Sequence, residues 1–175
     1  MSELEINLDP VSHLTIDAIG KPGERVFYIQ GLQDERTITL LVEKIQVQTL
    51  ALGIEQFLSE ITERYPEKPE APGDFDEALM HIYPPVDPLF RVGELSLGYD
   101  NDRDLIVVIA RETLTGDQKP EDVRVVNYWC TRSQALALGR WGLEVAKRGR
   151  PICPYCGQPM DPEGHFCPKK NGHKH

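Results

Sequence analysis

Alternating apolar and polar residues predict three strands in the first part of the chain. They are Leu14–Gly20, Val26–Gly31 and Thr37–Glu43. Turn-forming residues separate them, so the segments read as a meander in which one face of each strand is buried. From about Ile45 the apolar residues recur at the spacing of an amphipathic helix, which must end before Pro66.

The same order of elements recurs in the second part of the chain. Strands are predicted at Glu94–Tyr99, Leu105–Ala110 and Val123–Cys130. The continuous apolar run Leu105–Ala110 is typical of a central strand that is covered on both faces. Thr131–Gln134 has the form of a capping box, which predicts that a helix begins there and continues to about Arg148.

A proline-rich connector joins the two parts. Six prolines lie between Tyr65 and Pro88, a density that excludes long regular elements. Within it, Asp74–Ile82 is predicted to form a short helix with Asp74 as its N-cap. His81 lies in this helix and is interpreted as a surface or packing histidine.

The predicted fold is α+β, with two β-β-β-α units of antiparallel sheet and packed helices, followed by a small C-terminal tail. The helices share a hexamer at an offset of 86, since Gln48–Gly53 and Gln134–Gly139 differ at one of six positions. This match favours an internal duplication that places Leu50 and Leu136 at equivalent positions. The expected organisation is 1–65, first unit; 66–88, connector; 89–149, second unit; 150–175, tail.

The strongest periodic faces predict the core. Eight residues are expected to be largely buried: Ile29, Leu40, Leu50, Ile54, Val107, Ile109, Val125 and Leu136. For Ile109, truncation to alanine is expected to cost about 2–5 kcal/mol.

Composition and charge narrow the class of protein. No apolar run in the 175 residues approaches a membrane span, and the first ten residues do not resemble a signal peptide, so a cytoplasmic protein is expected. The net charge is −9, but the segment from Arg140 onward contains seven basic and three acidic residues. Because most of the surface would repel phosphates, a nucleic-acid partner is not expected, except through the basic tail.

The tail carries the sharpest chemical signal. Cys153 and Cys156 lie in a C-P-x-C-G turn, and His165 and Cys167 follow after a plausible chain reversal. Three thiolates and one imidazole form a common tetrahedral set for structural zinc. A tail of about 25 residues cannot build a core, so a metal cross-link gives a physical reason for its order. Zinc bound by these four residues is therefore predicted.

Other interpretations of these residues differ in the fourth ligand or in the role of the thiols. His173 or His175 is a possible fourth ligand in place of His165. A catalytic zinc would need an open coordination position, which a Cys-rich set disfavours. The glutaredoxin redox pair C-P-Y-C is rejected, because only 19 residues follow Cys156. Cys130, at a strand end, is interpreted as a buried structural thiol.

The C-terminal motifs CPYCG, DPEGHFCP and NGH, after two β-rich halves and an early FYIQG, resemble an uncharacterised bacterial domain-of-unknown-function family, best known from actinobacteria. The resemblance spans essentially the whole chain. In that family the position of His173 is usually aromatic, which favours His165 as the ligand. The resemblance assigns no reaction.

Three functions are compatible with these residues. A non-catalytic binding or adaptor protein with a protein partner and a structural zinc is favoured. The alternative is an enzyme of the phosphoester or nucleotide class, acting in a groove between the halves. It would use the H-x-T triplet that begins at His13, with Glu94–Ser96 at the comparable strand, but no catalytic motif supports it. The third is single-stranded nucleic-acid binding through the basic tail.

Overall fold

A computed structural model describes residues 4–21 and 23–148 of the chain. Its strands and helices are β1 Glu5–Leu8, β2 His13–Ile19, β3 Val26–Gln33, β4 Arg36–Val42, α1 Lys44–Arg64, β5 Val92–Asp100, β6 Leu105–Glu112, β7 Val125–Thr131 and α2 Arg132–Lys147. Short 3₁₀ turns lie at Glu77–Leu79 and Pro120–Asp122. In these ranges no helix combines the length and apolarity needed to span a membrane.

The strands form two sheets. The first has the order β2-β3-β4 and the second the order β1-β7-β6-β5, and all neighbours are antiparallel except β1 and β7. The mixed α+β class is therefore confirmed, and each half presents three meandering strands followed by a helix. Strand β1 is not among the predicted elements, although its four residues, EINL, alternate between polar and apolar.

Local chemistry explains where α2 and the connector's turn begin. At α2 the predicted capping box is confirmed: the Thr131 side chain accepts from the Gln134 backbone N–H at 3.0 Å, and Gln134 Oε1 accepts from the Thr131 N–H at 2.9 Å. The helix predicted over Asp74–Ile82 is wrong. Only the 3₁₀ turn Glu77–Leu79 forms, and its N-cap is Asp76 rather than Asp74.

The shared hexamer does not mark equivalent helix positions. The N-caps Glu43 and Thr131 are 88 positions apart, whereas the hexamers are 86 apart. Counted from these caps, Leu50 is the seventh helical residue and Leu136 the fifth. Both are buried, but the hexamers are two residues out of register, which is more than half a helical turn.

One core lies between the inner faces of the sheets and the two helices. Tyr128 of β7 is fully buried, donates from its hydroxyl to the Ile38 carbonyl at 3.1 Å, and contacts Gly31 so closely that a Cβ there would lie 2.4 Å from its ring. Glycine is therefore required at position 31. At the helix crossing, Gly139 and Gly142 face Ala51 and Val47 and let α1 and α2 approach.

Two of the eight core predictions are wrong. Ile109 and Val125 are only half-buried. They lie opposite Asn127 and Arg111 in the pairing, on the outer face of the second sheet, whereas Ile106 and Val108 point into the core. The error arises because an unbroken apolar run does not reveal which of its faces packs against the helices.

The connector covers the outer face of the first sheet. That face carries buried polar residues at paired positions, among them Thr15 and Gln30. Gln30 donates to the Tyr83 carbonyl at 3.1 Å and accepts from the Tyr83 N–H at 2.8 Å, and Thr15 donates to the Met80 carbonyl. Side chains of the sheet thus satisfy backbone groups of a segment without regular structure.

Ile106→Ala is expected to destabilise the protein by about 2–5 kcal/mol, because Ile106 is 1% exposed in the core. Ile109→Ala should cost less than half as much, because solvent already reaches that side chain. Urea unfolding of both variants against the wild type measures the difference. Equal losses would contradict the assignment of the two faces.

Candidate binding groove

A groove forms because a helix takes the place of a strand beside β5. Just before β5, the chain runs parallel to β4: Leu41 is bridged to Arg91, its N–H donates to the Phe90 carbonyl at 3.0 Å, and the Leu89 N–H donates to Thr39 at 2.8 Å. β4 then ends at Val42 and α1 begins two residues later. Beyond this point, α1 is the neighbour of β5.

The edge of β5 that faces α1 is unpaired along most of its length. In the described part of the chain, the backbone of β5 pairs with no strand other than β6. A helix cannot complete the ladder, since its own N–H and C=O groups bond within the helix. Gln46 supplies a partial substitute: its Nε2 donates to the Val92 carbonyl at 3.0 Å, while its Oε1 accepts from the Glu43 N–H at 2.8 Å.

The space between α1 and β5 is an apolar cavity of about 480 Å³. Leu50 and Phe57 line it from the helix, and Leu95 and Leu97 from the strand. Gly53 lies between the two helical residues, and a Cβ there would meet nothing closer than Leu97 at 3.9 Å. Two acidic residues, Glu60 and Glu94, also line the cavity.

A second cavity of about 580 Å³ continues the groove toward the C-terminal end of α1. It shares Phe57 and Glu60 with the first and adds Tyr65 and Tyr99. The two tyrosine rings are tilted by 52°, with centroids 6.0 Å apart. The groove therefore runs from the start of α1 to its last turn and ends between aromatic rings.

An ion-pair network holds Tyr99 in place. Its hydroxyl donates to Asp104 Oδ1 at 2.6 Å. Arg132 donates two hydrogen bonds to the same carboxylate, from Nε at 2.8 Å and from a terminal nitrogen at 3.1 Å. Burial, together with the Asp104 hydrogen bond, raises the pKa of Tyr99 to about 12, so the phenol stays protonated at neutral pH. The hydrogen bond from Arg132 lowers the pKa of Asp104 below its usual value.

The four predicted zinc ligands, Cys153, Cys156, His165 and Cys167, lie outside the described residues, as do the alternatives His173 and His175. Within residues 4–148, apart from the undescribed position 22, no group of three metal-ligating side chains occurs. Cys130 is confirmed as a buried free thiol, and burial raises its pKa to about 12, so it stays protonated.

The residues of the enzyme hypothesis lie in different sheets. His13 is on β2 beside the connector, where its ring packs against Tyr83 and burial lowers its pKa. Glu94 and Ser96 are on β5 and line the groove. His81 belongs to neither group; its Nδ1 lies 3.1 Å from Asp17 Oδ2, and its ring edge meets Trp141. That placement fits its interpretation as a packing histidine.

Sequence reasoning missed the groove itself. One signal was present: Gly53 lies inside an otherwise well-formed helix, where glycine is unfavourable and often has a packing or functional reason. The unpaired edge of β5 had no sequence signal, because it follows from the path of the chain between β4 and α1.

Residues 6–167 match the model of a protein family described as "Protein of unknown function (DUF3090)". No curated protein and no solved structure matches the chain.

Asp104→Asn tests the network that holds Tyr99. Because the folded protein lowers the pKa of Asp104, its ionised carboxylate stabilises the fold above about pH 4, and this stabilisation is lost as the pH falls through the folded-state pKa. The urea midpoints of wild type and variant should therefore differ at pH 6 and converge toward pH 3. Asparagine tolerates the positive φ of 53° at this position, so the substitution mainly removes charge.

Asp102→Asn is the matched control. It removes the same charge from the same turn, whereas the carboxylate that binds Arg132 is that of Asp104. A difference between wild type and Asp104→Asn that stays constant from pH 6 to pH 3 would contradict the role of the Asp104 charge.

Proposed function

The chain belongs to the DUF3090 family, and we propose that it is a non-catalytic binding protein that takes an extended segment of a partner protein into the groove between α1 and β5. The observation that carries this proposal is the unpaired edge of β5, which faces an apolar cavity. An extended segment placed there would add a strand to the second sheet and pair with the free N–H and C=O groups.

Side-chain chemistry in the groove supports an extended occupant. In a strand successive side chains point to opposite faces, so alternate residues of the segment would meet the apolar wall of Leu50, Phe57 and Leu97. The empty volume above Gly53 gives room for one such side chain. Backbone pairing would supply affinity, and the apolar wall would select the residues that enter.

Charge favours a basic partner over a second copy of this chain. Glu60 and Glu94 line the groove, and the first 139 residues carry 25 acidic and 12 basic groups. Two copies pairing through β5 would bring these carboxylates together and repel one another. A segment with Lys or Arg among its apolar residues is attracted by the same surface.

We also propose that Cys153, Cys156, His165 and Cys167 bind one structural zinc ion. The support is the spacing of thiolate and imidazole ligands in the sequence. Its role would be to order the C-terminal tail, while residues 4–148 keep the core described above. The domain boundary expected near residue 150 falls just after the end of α2.

We also propose an internal duplication, supported by the order of elements and the helix caps instead of the shared hexamer. Each half has three antiparallel strands and then a helix, and in each helix a glutamine at the third position accepts from the N-cap N–H. These glutamines, Gln46 and Gln134, are 88 positions apart, as are the caps.

Gly53→Leu should block the groove and weaken peptide binding at least tenfold, because the new side chain would occupy the space that Gly53 leaves open. A phage-displayed library of random dodecapeptides would be selected on the wild-type protein and counter-selected on Gly53→Leu. Synthetic peptides from that selection would then be titrated by fluorescence anisotropy. N-methylation at alternate peptide residues should abolish binding, since it removes the N–H groups that pair with β5.

Gly53→Ala is the matched control. It should leave the groove open and raise stability by about 0.5–1 kcal/mol, because alanine is the better helix former and its Cβ meets no close atom. Hydrogen exchange of Val92–Asp100 should slow when peptide is bound. A selection that yields no peptide able to distinguish wild type from Gly53→Leu would refute the proposed function.

Cys156→Ser should abolish stoichiometric zinc in protein purified without chelator, measured by elemental analysis, because it removes one of the four proposed ligands. Protease sensitivity after Arg150 should rise at the same time. Cys130→Ala is the control and should retain one zinc per chain, since the Cys130 side chain is buried in the hydrophobic core. Wild-type protein that carries no metal under these conditions would overturn the zinc proposal.

A further inference from the structure

The far end of the groove has a different chemistry from its middle. The cavity beside Gly53 has one aromatic ring, that of Phe57, whereas the cavity at the last turn of α1 has three, those of Phe57, Tyr65 and Tyr99. Two carboxylates, Glu60 and Glu63, line it as well. Aromatic faces combined with carboxylates are the surroundings that stabilise an ammonium or guanidinium group.

The two tyrosine rings already hold a cation of this chain. The Lys68 ammonium lies 5.7 Å from the Tyr65 centroid and 5.9 Å from the Tyr99 centroid, within the range of a cation–π interaction. The same ammonium is 3.9 Å from Asp104 Oδ1. Both rings line the cavity and Lys68 does not, so each ring also presents part of its surface to the groove.

Two side chains of this cavity have hydrogen-bond partners within the chain, Tyr99 and Glu60. Tyr99 is held through its hydroxyl by Asp104, which Arg132 grips in turn. On the helix, Gln56 Nε2 donates to Glu60 Oε1 at 3.2 Å. The Tyr99 ring would therefore lose little side-chain entropy when a cation binds against it.

The charge balance at this end favours a single cation. Arg64 also lines the cavity and offsets one of the two carboxylates, which leaves the lining itself with a net charge of −1; outside the lining, Lys68 and Arg132 both lie within ion-pair distance of Asp104. One Lys or Arg side chain would neutralise that remainder, whereas an acidic side chain would meet two glutamates. The cavity beside Gly53 also has two carboxylates, Glu60 and Glu94, but it lacks the two tyrosine rings.

We propose that this cavity is a specificity pocket for one lysine or arginine side chain of the segment bound in the groove, an inference that rests on the proposed function. The pocket would set both the register and the direction of the segment. Tyr99 lies two residues beyond Leu97 on the same face of β5. The basic residue therefore lies two positions from the last apolar anchor, after it in a segment that runs parallel to β5 and before it in an antiparallel one.

The test compares one selected peptide with a variant in which its lysine is replaced by norleucine. Norleucine keeps the aliphatic stem and removes the ammonium. On the wild-type protein this change should weaken binding by about 3- to 30-fold, the range expected for a cation–π contact with a nearby carboxylate. On Glu60→Gln the ratio of the two dissociation constants should fall toward one.

Matched variants separate the pocket from general charge attraction. Glu55→Gln makes the same change on the opposite flank of α1, near Arg140, and should leave the lysine-to-norleucine ratio as in the wild type. Tyr99→Phe keeps the ring but removes the hydroxyl that Asp104 holds, so it should lower the ratio less than Tyr99→Leu, which removes the ring. Thermal unfolding of each variant confirms that it is folded.

The outcomes distinguish this inference from the function on which it rests. If peptides depend on Gly53 but show no preference for lysine or arginine, the pocket is refuted and the groove stands. The same holds if the preference persists at full strength in Glu60→Gln and Tyr99→Leu. If no selected peptide depends on Gly53, both the groove and the pocket are refuted.

Discussion

The groove depends on one constraint, which is that a helix cannot hydrogen-bond to the edge of a strand. β4 pairs with the chain at Arg91, but it ends at Val42, and the chain turns at once into α1. The next neighbour of β5 is therefore a helix, whose backbone N–H and C=O groups already bond to one another. Side chains must fill the gap between them, and at Gly53 there is no side chain to do so.

The outer faces of the two sheets carry different kinds of side chain. Polar side chains on the first sheet, such as Gln30, hold the connector by pairing with its backbone at Tyr83. On the second sheet, Ile109 and Val125 remain half-buried. On the first sheet, the backbone of the connector replaces water as the hydrogen-bond partner of the polar side chains. This explains how an irregular, proline-rich segment can lie over buried polar groups.

Much of the fold follows from local sequence, and the rest does not for identifiable reasons. Six of the seven strands and both helices are predicted from apolar patterns, turn residues or a cap that a few neighbouring residues encode, as at Thr131 and Gln134. The assignment of Ile109 to the core is wrong because facing depends on where the helices pack. The groove lies beyond sequence reasoning, since it requires the relative positions of β4, α1 and β5. The predicted zinc ligands, in contrast, are defined by spacing alone and fall outside the described residues.

An open strand edge carries a cost that bears on its function. Unpaired edges favour aggregation, and proteins usually protect them with charges, bulges or covering elements. β5 has a bulge between Val92 and Glu94, and the Glu94 carboxylate lies beside it. Leu95 and Leu97 nevertheless leave an apolar stretch in the groove, covered by α1 on one side only. Acidic residues along the groove repel the other acidic copies of this chain and attract basic segments, so the charges that protect the edge also select its partner.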